Sequence, residues 1–186
     1  MKEINLLIIG AAISLIASVI GYFAQSIVQL IFNSKGNVNV YVKSVYNKGS
    51  GKAWGFITTN IFDVPLWIEV HNTKNKNIVL RNLNLQLYEK GKKIGKTVQV
   101  THTENSGEKT IYGDKGAYSF LVGPSSIARY DLDFCIKKSD IKCDFDEVRI
   151  SYFDSKDIYK EYKLFDIENC WKVSNNKIDY DWHLLV

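Results

Sequence analysis

The chain reads as an all-β domain behind one N-terminal transmembrane helix. Three observations predict this. A charge-free stretch of 31 residues runs from Ile4 to Ser34, apolar and polar residues alternate through five later segments, and turn-forming residues separate those segments. An anchor over residues 1–36 and a β-sandwich over residues 37–186 follow, with a small β-barrel as the alternative to the sandwich.

The anchor comes first. Its densest part runs from Leu6 to Phe23, and about 20 apolar residues span the hydrocarbon core as a helix. The surplus, through Ile27, Val28, Leu30, Ile31 and Phe32, can tilt or run along the interface. A cleaved signal peptide fits less well. Its apolar core is roughly 7–15 residues and ends in a small-x-small site, whereas here the run continues past Val19-Ile20-Gly21 and Tyr22-Phe23-Ala24. The segment also has no charged face of the kind a helix on a soluble core shows.

Lysine bias orients this single-pass signal anchor in a plasma membrane. Lys2 is offset by Glu3, while Lys35, Lys43, Lys48 and Lys52 follow the helix with no acid before Asp63. The positive-inside rule then puts the domain in the cytoplasm. Three cysteines, an odd number, suit a reducing compartment. The opposite topology leaves Cys135 and Cys143 free to pair. Within the helix, Gly10, Ser14, Ser18, Gly21, Gln25 and Gln29 recur at steps of three and four, forming one stripe. Small residues let helices approach and amides bond across the contact, so the stripe is a candidate for self-association. The competing account is composition alone.

Period two then dominates the body. Val38, Val40 and Val42 alternate with polar neighbours, as do Leu66, Ile68 and Val70, then Leu83, Leu85 and Leu87. Tyr130 to Ile136 and Val148 to Tyr152 repeat the pattern, which marks strands with one buried and one wet face. Turns are expected at Asn47 to Gly51, Asn72 to Asn77, Glu89 to Lys93, Gly123 to Ser126 and Asp154 to Asp157. A strand over Ile94 to Val100 and a long loop through Asn105-Ser106-Gly107 and Gly113 to Gly116 complete the reading. Seven to nine short strands result.

Two stretches carry a resemblance. One is Pro65 to Asn72, followed by Ile78 to Leu83 and the Tyr88 to Lys92 hairpin; the other is Gly123 to Ser126 leading into Leu132-Asp133-Phe134. They resemble immunoglobulin-like sandwich modules of small bacterial membrane-anchored proteins. The likeness covers about half the domain and implies a fold but no active site. The Cys-Trp-Cys order of antibody domains is absent, since Trp54 and Trp67 precede every cysteine.

Chemistry-bearing motifs are sparse. Gly91 to Thr97 is one residue short of a phosphate-binding loop and sits between strands rather than before a helix. His71, His102 and His183 are far apart, and no catalytic set is assigned. Asp140, Asp144, Asp146 and Glu147 lack calcium-loop spacing and read as a solvated loop. No metal and no cofactor is expected. Tyr46, Trp54 and Phe56 are placed near the membrane interface by their sequence proximity to the anchor.

Charge is uneven. Residues 37–100 hold ten basic and three acidic residues, whereas residues 101–186 hold twelve and sixteen. Lys90, Lys92, Lys93 and Lys96, on one hairpin, are the candidate contact to lipid or to an anionic ligand. Only three of the 24 basic residues are arginine, and no nucleic-acid-reading motif is visible. The expected function is a non-enzymatic binding module on a membrane, with the bilayer, a second copy, or an anionic ligand or protein as partner. The alternative is a membrane-disrupting effector. The layout is similar to that of bacterial anti-phage proteins whose transmembrane helices carry a β-rich domain sensing a small nucleotide, though one span stands here where two are expected.

Overall fold

A computed structural model describes residues 2–105, 107–174 and 176–185. Helix α1 spans Lys2–Ser34. Every side chain from Glu3 to Asn33 is exposed, so no part of the body shields its apolar surface. The helix is long and apolar enough to cross a membrane. The Ser18 hydroxyl donates to the Ser14 carbonyl at 2.9 Å, and Ser26 does the same to Tyr22.

The rest is antiparallel β-structure. The strands are β1 (Val38–Ser44), β2 (Gly55–Thr58), β3 (Ile61–Asn72), β4 (Ile78–Glu89), β5 (Lys92–Lys96), β6 (Val98–Gln99), β7 (His102–Asn105), β8 (Glu108–Ile111), β9 (Phe120–Val122), β10 (Ser126–Lys137), β11 (Glu147–Phe153), β12 (Tyr159–Asp166) and β13 (His183–Leu184). One sheet has the order β13-β1-β3-β10-β6, with β2 also on β3. A second has the order β12-β11-β4-β5, with β9 beside the start of β4. Strands β7 and β8 form a separate hairpin.

Apolar alternation builds one core from both sheets. Val40, Val42, Leu66, Ile68, Val70, Leu132 and Phe134 of the first sheet join Leu83, Leu85, Leu87, Val148 and Ile150 of the second in a single buried cluster. Burying one such Leu or Ile contributes ~1.5–3 kcal/mol. Phe56, Phe62, Phe145 and Trp171 close one end, with ring centroids 4.8–5.8 Å apart.

Three strands, β3, β4 and β10, are 12 residues long, beyond the short strands expected. Strand β3 tolerates Pro65 because its neighbour changes there. Strand β1 pairs with it as far as Leu66, and β2 takes over at Asp63. The Pro65 carbonyl accepts the Val45 N–H, so the side lacking a proline N–H faces the gap between β1 and β2.

Two expectations need correction. The strand read over Ile94 to Val100 is broken at Thr97. Its hydroxyl donates to Asn84 Oδ1 at 2.9 Å and its N–H to the Leu85 carbonyl at 3.0 Å, after which β6 pairs with β10 in the other sheet. Much of the long loop is the β7–β8 hairpin; Ser106, at its tip, lies outside the described residues.

Candidate functional site

The sheets leave one side open. Strand β12 is the outer strand of its sheet, and β1, paired with β3 on one side, is covered on the other only by the two residues of β13. Between these edges lies a cleft of about 610 Å³ whose floor includes Val40, Ile78, Leu80 and Tyr152, all core residues. A second lobe of about 500 Å³, beside Trp54 and Phe165, adjoins it and shares Tyr162, Leu184 and Leu185 as lining. Such volumes are those of ordinary ligand sites.

Four lysines rim the first lobe: Lys74, Lys76, Lys156 and Lys160. Lys74 and Lys76 ride on the β3–β4 loop, which Asn72 braces. The buried Asn72 amide donates to the carbonyls of Lys76 at 2.8 Å and Gly123 at 2.6 Å, while its Oδ1 accepts the Lys74 N–H at 3.0 Å. Lys156 rides on the β11–β12 turn, where Asp154 Oδ1 accepts the N–H groups of Lys156 at 2.8 Å and Ile158 at 3.1 Å. Among the described residues none of the four lysines forms an ion pair. Asp154, the one acid in the lining, turns an oxygen into its own turn. The rim is therefore an uncompensated positive field over an apolar floor. By contrast Arg149, outside the cleft, pairs with both Glu147 and Glu161.

This mouth lies where the helix enters the body. Only residues 35–37 separate α1 from β1. Asn37 exchanges bonds with the β3–β4 loop: its N–H donates to Thr73 Oγ1 at 2.7 Å, and its carbonyl accepts the Thr73 N–H at 3.0 Å. Gly36 makes the approach possible. Its φ is +98°, and a Cβ there would stand 2.5 Å from the Thr73 carbonyl oxygen.

A second polar cluster is sealed. Asp63 on β3 and Asp133 on β10 lie on the outer face of the first sheet, yet both are buried. The Asn47 amide donates to Asp133 at 2.9 Å and to Asp63 at 3.1 Å, while its oxygen accepts the N–H groups of Gly49 and Ser50. Tyr118 Oη accepts the Asp133 N–H at 3.1 Å and donates to the carbonyls of Val100 and Asp133. Burial, then the charge of Asp133, pushes the Asp63 carboxyl up to about 8. Burial also raises Asp133, whose Oδ1 is buried and accepts no hydrogen bond among the described residues. A proton held between the two carboxyls satisfies that oxygen and removes one of two buried charges. Neither residue lines the cleft.

The residues singled out from sequence are dispersed. Lys90, Lys92, Lys93 and Lys96 lie at the β4–β5 hairpin, at the opposite end of β4 from Ile78 and roughly 36 Å from it along the strand. The motif Gly91 to Thr97 is strand–turn–strand. Gly10, Ser14, Ser18, Gly21, Gln25 and Gln29 are exposed along α1, and neither glutamine amide has a hydrogen bond among the described residues. Asp146 accepts the Lys90 N–H and Glu147 binds Arg149, so the acidic run serves the fold. No three His, Cys, Asp or Glu side chains group as metal ligands among the described residues. His71 meets Glu69 at 2.7 Å and His183 meets Asp179 at 3.3 Å, while His102 lies on β7. The three cysteines are free thiols.

Phe56 is core, which removes it from the interfacial placement read for Tyr46, Trp54 and Phe56. Trp54 stacks on Phe165 at 3.9 Å, and Tyr46 is exposed. Sequence reasoning passed over the lysine rim because its members come from two segments about 80 residues apart, which only the pairing of the strands brings together. No family model matches the chain, and no curated protein matches it.

Proposed function

We propose that this is a non-enzymatic binding module: an immunoglobulin-like β-sandwich held on a plasma membrane by α1, with the cleft as its site for an anionic ligand. The carrying observation is the rim of Lys74, Lys76, Lys156 and Lys160, four cations without counter-charges over an apolar floor beside the helix junction. An anion bound there gains from several lysines at once, and the anchor confines the module to two dimensions, where modest affinity suffices. The hairpin lysines Lys90, Lys92, Lys93 and Lys96 form a separate cationic surface, placed for a soluble partner rather than for the bilayer.

The experiment uses the full chain in phosphatidylcholine nanodiscs, with inorganic pyrophosphate and dodecyl phosphate as probes. At least one binds, with a salt-dependent affinity that replacement of the four rim lysines by glutamine lowers at least tenfold. Binding of neither probe, or binding indifferent to those substitutions, removes the cleft as an anion site. Extraction of the intact chain from membranes by alkaline carbonate would refute the anchor.

The membrane-disrupting effector is a second reading, and one observation favours it. Among the described residues the Gln25 and Gln29 amides have no hydrogen-bond partner, which an apolar environment penalises until a neighbouring helix supplies one.

A further inference from the structure

We infer that the cleft takes an anionic lipid drawn from the bilayer that α1 enters, with the headgroup on the lysine rim and one acyl chain along the cleft. This rests on the proposed anion site and names its ligand class. Three features point to an amphiphile rather than a small hydrophilic anion. The floor beneath the lysines is apolar, formed by the buried flank of the core at Val40, Ile78 and Leu80. A second lobe at Trp54 adjoins the first and shares Tyr162, Leu184 and Leu185 with it as lining. That lobe sets Val42, Trp54 and Phe165 beside Lys177, Asp179 and His183, an apolar wall with a polar edge.

The third feature is position. Thr73 is bonded to Asn37, three residues past the end of α1, and Lys74 follows it in the loop. From the helix junction the lysines come first and the apolar floor next, the order in which a lipid can enter tail-first and leave its headgroup on the rim without carrying its charge through the cleft. Each methylene transferred from lipid to the floor leaves one apolar medium for another, so the lysine contacts decide occupancy. Each is worth about fivefold in affinity for an anionic surface. Lys163 and Lys177, in the second lobe, project from exposed positions and leave Trp54, Leu164 and Phe165 to line its apolar part.

Trp54 reports the path. It belongs to the second lobe, near the far end of β1, roughly 20 Å along the strand from Val38, and α1 contains no tryptophan. The experiment places the full chain in nanodiscs whose phosphatidylglycerol carries brominated acyl chains, a quencher of indole fluorescence, and compares Trp54→Phe to isolate the Trp54 signal. A second arm titrates soluble dodecyl phosphate and inorganic pyrophosphate into phosphatidylcholine nanodiscs. The expected result is quenching of Trp54 by brominated phosphatidylglycerol but not by brominated phosphatidylcholine, and dodecyl phosphate binding at least tenfold tighter than pyrophosphate. Replacing Lys74 and Lys76 with glutamine should lower the phosphatidylglycerol response about 25-fold, from the fivefold expected of each. Leu184→Glu, an exposed substitution at the waist, should abolish Trp54 quenching while sparing the fold. Equal binding of pyrophosphate and dodecyl phosphate would overturn the lipid and leave the anion site standing. Tight dodecyl phosphate binding without quenching by the bilayer lipid would replace the bilayer with a soluble acyl anion as the source. Trp54 left unquenched by brominated phosphatidylglycerol, together with dodecyl phosphate binding no tighter than pyrophosphate, would deny the second lobe to the chain and overturn the inference.

Discussion

Asp63 and Asp133 show how far a residue's neighbours can outweigh its place in a pattern. Both fall on the face of the first sheet that alternation reads as wet, yet the Asn47 turn and the Tyr112 and Tyr118 side chains cover them. That cover comes from distant segments, so the pair is illegible in sequence, whereas Leu132 and Phe134 on either side of Asp133 are plain core residues. The pH consequence has a definite sign. Unfolded carboxyls titrate near 3.9, and the folded pair keeps a proton up to about 8. Across that window the folded state binds the extra proton, so stability falls as pH rises, by up to ~1.4 kcal/mol per unit, and levels off above it. For a domain of this size each kcal/mol is about 2–4 °C. Asp63→Asn mimics the neutral acid, so its melting temperature should be flat between pH 5 and 8.5 while the wild type declines. Parallel curves would show that the proton is held elsewhere.

Among the elements, strands carried by strict alternation are the most legible, and β1, β3, β4, β10 and β11 all contain the runs read for them. What alternation hides is the point where a strand changes partner. Pro65 and Thr97 mark two such points, and each was invisible because the deciding neighbour, β2 or Asn84, comes from another segment. The helix poses the reverse problem: its existence is obvious and its partner is not. Ser18 needs no second helix for its hydroxyl, which already donates to the Ser14 carbonyl, so the larger demand rests with the Gln25 and Gln29 amides. Cysteine-scanning cross-linking along residues 8–30 in membranes should peak at 14, 18, 21 and 25. Gln25→Leu should weaken the contact by ~0.6–2 kcal/mol. A flat profile would make α1 a monomeric anchor.

At the scale of the whole molecule, a helix apolar enough to cross a membrane and an open-sided β body combine into a module with four unpaired lysines around a cleft beside the helix junction. The lysine excess of residues 37–100 was legible, but its most useful members were not, since half the rim comes from the net-acidic part of the chain. The topology expected from the lysine bias, with the body in the cytoplasm, makes a labelling prediction, for which Cys143 is the reporter because it alone of the three thiols is exposed. A maleimide that cannot cross membranes should leave Cys143 unmodified in intact cells and modify it after permeabilisation. Modification in intact cells would reverse the topology and put the rim against the outer leaflet.

The Gly36 junction turns the anchor into an axle rather than a leash. A flexible tether would let the body swivel above the bilayer, but here three residues and two backbone contacts lock Asn37 to Thr73. The azimuth of α1 in the membrane then dictates the compass direction in which the lysine mouth opens. Helices meeting along one stripe would hold their clefts at fixed bearings around a shared centre, and any twist in the helix pairing would be delivered to the site without loss.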